Sequence, residues 1–167
     1  MSTLSGPRYR AGQLARALRP RISESERAAA GGMLGPRLDA LFLSMSPADQ
    51  RHCLDVYEHL LANGYRNSDL LIAALLHDAG KAPDGRTRVR LWHRVAFVLT
   101  GPLPPVQRLA ARVSAGLRLL EKHADRGARL AESRGAPAEV VRLIRAVDEQ
   151  AETDDRVRLL RAADDAC

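Results

Sequence analysis

An all-α domain is what the sequence predicts, on three observations. No stretch alternates apolar and polar residues over the length of a strand, whereas apolar residues recur at three- and four-residue spacing in one segment after another. Hydrophobic residues make up 46% of the chain and aromatics only 4%, so the core must be built from Leu, Ala and Val, which favours helices over sheets. Helix-start signals such as Ser23 with Glu26, and Ser46 followed by Pro47, stand directly ahead of apolar runs. With 167 residues the chain is expected to be one domain that buries a core without staples.

The elements follow in order. Residues 1 to about 10 read as loosely attached, and Gln13 to Leu18 as a short helix ended by Pro20. Ser23 and Glu26 form a capping box for a helix to about Ala30, which Gly31 and Gly32 are expected to break. Leu34, Leu38, Leu41 and Phe42 then mark a second helix to about Met45. Ser46 caps the next helix, whose stripe is Cys53, Val56, Tyr57, Leu60 and Leu61 and whose end is Asn63–Gly64.

Leu70 through Leu76 are all apolar, so a helix carrying them is hydrophobic on every side and must lie inside the fold, with Ser68 as its cap and Gly80 as its stop. Ala82 to Gly85 is a turn. Arg88 to Leu99 reads as a helix, Thr100 to Pro105 as a boundary, and Val106 to about Leu120 as a helix continuing to Arg134 with a break near His123. Gly135–Ala136–Pro137 precedes a helix bearing Val140, Val141, Ile144 and Val147, and Thr153 is read as the cap of the last one. Residues 1–45 are expected to pack as a helical extension on residues 46–167, in one structural unit.

Composition narrows the partners. The net charge of +6 invites a nucleic-acid reading, but Lys81 and Lys122 are the only lysines and the arginines are spread over every segment, as on a solvated surface. Nucleic acid is therefore not the expected partner, whereas a small phosphate-bearing ligand is compatible with the same charge. No run of about 18 apolar residues suggests a membrane span, and the N-terminus has no apolar leader segment. Cys53 and Cys167 make no disulfide framework, so a reduced, cytoplasmic setting is expected.

The chemistry concentrates at the end of the apolar run. His77 and Asp78 occupy its last turn, where an imidazole and a carboxylate are costly unless compensated. A divalent cation would compensate both; a helix end reaching solvent would need no partner, and the dipeptide alone leaves both readings open. His52 borders the stripe of an earlier helix, and Asp164 lies in the last one, each on or beside an apolar face from which side chains can meet in a bundle core.

The order His52, His77–Asp78, Asp164 resembles the HD-domain metal-dependent phosphohydrolases. The segments carrying the resemblance are RHCLDVYEHL, LLIAALLHDAGK and LLRAADDAC, and it extends from about Arg51 to the C-terminus. HADRGARLAESRGAPAEVVRLI, from His123, is similar to the later helices of HDIG and HD-GYP-like members, but the downstream histidine pair is missing: Val147, Asp148 and Glu149 stand there.

The resemblance implies a compact multi-helix HD-domain bundle and a divalent cation (Mn, Fe, Ni, Mg or Zn) held by His52, His77, Asp78 and Asp164. It also implies hydrolysis of a phosphate ester of a nucleotide or related small molecule by metal-activated water. Asp78 would bind metal and orient that water, Lys81 would face the phosphate, and His123 would act as acid toward the leaving group. For Lys81 the other reading is a cation at a helix end, and for His123 a helix-end histidine. Asp55 is a candidate support for His52, and Asp148 a candidate oxygen ligand. Arg86, Arg88, Arg90 and Arg94 could extend a phosphate cradle or form a solvated face. His59 and His93 read as packed or surface residues. The alternative function is a catalytically degenerate HD domain serving as a nucleotide- or protein-binding module.

Overall fold

Local capping chemistry starts the described part of the chain. Ser23 accepts from the Glu26 amide, and the Glu26 carboxylate accepts from the Ser23 amide at 2.7 Å, the reciprocal box that opens helix α1 (Glu24–Leu43). The computed structural model describes residues 21–83, 85, 109–110, 112, 114–147 and 154–167. Six further helices follow: α2 (Pro47–Ala62), α3 (Ser68–Leu76), α4 (Ala115–Glu121), α5 (His123–Ser133), α6 (Ala138–Ala146) and α7 (Asp155–Ala166). A 3₁₀ turn (Ala79–Lys81) follows α3. No strand occurs among the described residues, as the sequence predicts.

α3 is the centre. Leu70, Leu71, Ala73, Ala74, Leu75 and Leu76 are buried, and α1, α2, α6 and α7 all pack against them. Each fully buried Leu contributes about 2–3 kcal/mol of transfer free energy, so the all-apolar run dictates the middle position. α5 lies across the 3₁₀ turn and α6, and α7 crosses α2. Ala30, Leu34, Leu38, Leu41 and Phe42 of α1 belong to the same core cluster as α3 and α6. Among the described residues, no helix is long and apolar enough to cross a membrane.

Three boundaries differ from expectation. α1 runs through Gly31 and Gly32 and breaks instead at Gly35–Pro36, where Gly35 takes φ 67° and ψ 169°. A helical glycine costs only about 1 kcal/mol, whereas proline disfavours the α region in the residue before it and cannot donate. Asn67, not Ser68, caps α3, accepting from the Leu70 amide at 2.9 Å. Asp154 caps α7 through the Arg156 amide, the role expected of Thr153, which lies outside the described residues. The expected break near His123 is present at Lys122, between α4 and α5. The short helix at Gln13–Leu18, the helix at Arg88–Leu99 and the Thr100–Pro105 boundary also fall outside the described residues.

Arg51 ties α1 to α2. It is buried and pairs with Glu26 at 2.6 Å, Asp55 at 3.0 Å and Glu58 at 3.4 Å. The Ser23 hydroxyl and amide, followed by Arg51, hold Glu26 down from its ordinary 4.5 to about 2. A depressed carboxylate stabilises the fold above its unfolded pKa and loses that contribution as pH falls through the folded one. Stability should therefore decline between about pH 4.5 and 2, and Glu26→Gln should flatten that decline in acid titrations followed by circular dichroism. An unchanged acid limb in the variant would exclude this contribution.

Candidate metal centre

Five elements bring the site together. His52 comes from the second turn of α2, His77 and Asp78 from the end of α3, and Asp164 from the last turn of α7. Lys81 closes the 3₁₀ turn, and His123 opens α5. The ligand-type atoms of His52, His77 and Asp78 all lie within 4.8 Å of one another, an arrangement able to hold a metal ion. Asp164 joins them: its Oδ1 is 2.7 Å from His52 Nε2 and 3.4 Å from His77 Nε2. The neighbouring Asp165 is exposed, so the helical register of α7 selects the first of the two aspartates.

Burial is graded across this group. His77 and Asp78 form the floor at 1% and 2% side-chain exposure, while His52 and Asp164 stay open at 29% and 36% and form the rim. Access among the described residues is therefore from the His52–Asp164 side.

Backbone carbonyls orient two of the imidazoles. His77 Nδ1 donates to Ala74 O at 2.9 Å, and His123 Nδ1 donates to Leu120 O at 2.7 Å, each three residues back. Using Nδ1–H this way leaves Nε2 as the atom facing the centre. His77 Nε2 has no hydrogen-bond partner although it is buried, and it sits 3.6 Å from Asp78 Oδ1. An unpaired buried polar atom costs about 1–3 kcal/mol, and a lone pair facing two carboxylates is repulsive unless a cation or proton lies among them. Two imidazole nitrogens with two carboxylates suit a divalent first-row cation. The residues therefore fit a metal.

The charges are mutually dependent. Burial works against ionising Asp78, but Lys81, followed by His77, His123 and His52, holds it well below the carboxylate range. Lys81 Nζ lies 2.7 Å from Asp78 Oδ1 and 2.8 Å from Oδ2, and His123 Nε2 is 3.6 Å from the same Oδ1. Burial also opposes ionisation of Asp164, but its hydrogen bond with His52 and the closeness of the His77 imidazole lower its pKa far more. For His77 burial opposes charge, while Cys53, Asp78 and Asp164 raise its pKa well above the ordinary value. Burial pushes the Cys53 thiol up and keeps it neutral, so the two carboxylates carry the effect on His77.

Some expected neighbours lie elsewhere. Asp55 is engaged by Arg51 rather than by His52, with 3.1 Å from the Arg51 Nε. His59 is half-buried in the last turn of α2. Val147 is buried at the end of α6. His93, Arg86, Arg88, Arg90, Arg94 and Asp148 lie outside the described residues.

Other contributors escaped the sequence reading. Cys53 Sγ sits 3.7 Å from His77 Nδ1, behind the ring. Gly80 is a contact point rather than a helix stop: a Cβ there would meet His123 O at 1.8 Å. Arg126 Nη1 donates to Gly80 O at 2.6 Å and Ala82 O at 2.7 Å. Its spacing of three from His123, one helical turn on the same face, is the signal that could have found it.

A family model described as HD domain matches residues 50–166, and neither the curated proteins nor the solved structures compared with the chain gave a match. The family is largely one of phosphohydrolases. The matched region runs from the residue before Arg51 to the end of α7 and contains every residue of the site just described, and the chain belongs to the HD-domain family.

Proposed function

We propose that this protein is a metal-dependent phosphohydrolase acting on a phosphate ester, a nucleotide or related small molecule. In this reading His52, His77, Asp78 and Asp164 hold one divalent cation (Mn, Fe, Ni, Mg or Zn). The observation that carries it is the buried, partnerless Nε2 of His77, fixed by the Ala74 carbonyl to face two carboxylates. The cation supplies Lewis-acid polarisation of a phosphoryl oxygen and brings the pKa of water to about 7.

The protein's own groups do the rest. Asp78, kept ionised by Lys81, helps hold the cation and orients the attacking water. Lys81 offers its ammonium to the phosphate's non-bridging oxygens, from a position where only 18% of its side chain is exposed and its field is weakly screened. His123, with Nδ1 committed to Leu120 O, delivers a proton to the leaving group from Nε2. Residues 1–45 act as a helical extension of the HD-type region in one unit, a reading supported by the core that Ala30, Leu34, Leu38, Leu41 and Phe42 share with α3 and α6. A reduced, cytoplasmic setting accords with the buried free thiol of Cys53.

A screen of metal-reconstituted protein against phosphomonoesters, nucleotides and cyclic dinucleotides tests this directly. Turnover is expected with at least one class, lost on chelation and restored by the cation, and absent in Asp78→Ala. A second reading, a nucleotide- or protein-binding module, is favoured by the apolar Val147 where HD-GYP-like relatives place histidine. A protein that retains no cation after reconstitution, or binds nucleotide without turnover, would establish that module instead.

A further inference from the structure

We infer that Arg126 is a positioning residue for Lys81, an inference that rests on the phosphate role given to Lys81 above. The 3₁₀ turn carrying Lys81 is joined to the first turn of α5 by two independent contacts. On the inner side, Gly80 and Gly127 approach so closely that a Cβ on Gly127 would lie 3.1 Å from Gly80 N. On the outer side, the Arg126 Nη1 bridges Gly80 O and Ala82 O, the carbonyls on either side of Lys81.

The consequence is geometric. With Gly80 and Ala82 both fastened to one guanidinium nitrogen, the backbone of Lys81 has little freedom to rotate, and its Nζ stays on the Asp78 carboxylate. The same helix supplies His123 one turn earlier, so Arg126 holds Lys81 and His123 in a fixed relation about Asp78. Charge assistance strengthens the bridge, since a guanidinium donor to a carbonyl makes a stronger bond than a neutral one. Arg126 touches backbone only in these contacts and acts through Lys81.

Titration calorimetry on the full chain tests this, with Mn²⁺ as the metal probe and inorganic phosphate as the anion probe on the Mn²⁺-loaded protein. Arg126→Ala is expected to keep Mn²⁺ affinity within about threefold and to weaken phosphate about tenfold, matching Lys81→Ala. Arg126→Lys, which retains a cationic donor, is expected to return phosphate affinity to within about threefold of the parent. A merely structural role would lower both affinities together. Loss of Mn²⁺ binding in Arg126→Ala and Arg126→Lys alike would therefore overturn the assignment. Unchanged phosphate affinity in Arg126→Ala, with Lys81→Ala impaired, would overturn it and leave the phosphohydrolase reading intact. Unchanged affinity in Lys81→Ala as well, or no phosphate binding by the parent, would overturn both.

Discussion

His77→Ala and Asp78→Ala should each strip the protein of its cation and of any phosphohydrolase activity while leaving its helicity nearly intact. The expected weakening of metal binding exceeds the roughly 10–100-fold seen when only a supporting residue is lost. Activity should drop by at least about 10²–10³-fold, the scale for deleting one electrostatic partner in a water-poor site. The reason lies in the partners. Without His77 the carboxylates of Asp78 and Asp164 lose the imidazole between them; without Asp78 the side chains of Lys81, His77 and His123 lose the buried carboxylate they share. Metal content by mass spectrometry and far-ultraviolet circular dichroism on the same samples check both halves. Either variant turning over substrate at the parent rate would remove the site from consideration.

Gly80→Ala should be strongly destabilising. Its Cβ would lie 1.8 Å from His123 O, 2.6 Å from His123 C and 2.8 Å from Gly127 N, all backbone atoms that cannot rotate aside. α5 must then shift bodily from the turn, at the upper end of the usual overpacking cost, about 3 kcal/mol or more. For a chain of this size that lowers Tm by roughly 6–12 °C. Gly32→Ala is the matched control: inside α1 and with nothing within 4 Å of its Cβ, it should stabilise by about 0.5–1 kcal/mol. Melting curves decide the pair. A Gly80→Ala protein melting with the parent would mean that the turn and α5 are not locked together.

The difference between those glycines shows what the sequence reveals and what it conceals. Signals that act within a few residues were legible: the Ser23–Glu26 box, the Ser46–Pro47 start, and a run from Leu70 to Leu76 that has no polar face to give to water. The fold class and the order of the described helices follow from these. Singly, His52, His77, Asp78 and Asp164 each had a packed or solvated reading; it was their order, which resembles the HD-domain pattern, that singled them out, and in the structure they lie together. Competition between adjacent signals was harder to read. Gly31–Gly32 looked like the breaker, but two tolerated costs lost to one steric prohibition at Gly35–Pro36. Long-range contacts were hidden altogether: Gly80 against His123 and Arg126 across to Ala82 join residues more than forty positions apart, and no local pattern encodes them.

The Arg51–Glu26 contact has a practical corollary. Arg51 directly precedes His52, yet one of its carboxylates comes from α1, which lies outside the stretch matched by the family. Trimming the protein to residues 50–166 would take the nearest of three carboxylates from a buried guanidinium beside the first imidazole and strip α1 from the central helix. Inactivity in such a fragment would then say nothing about its chemistry, because the scaffold would have been damaged first.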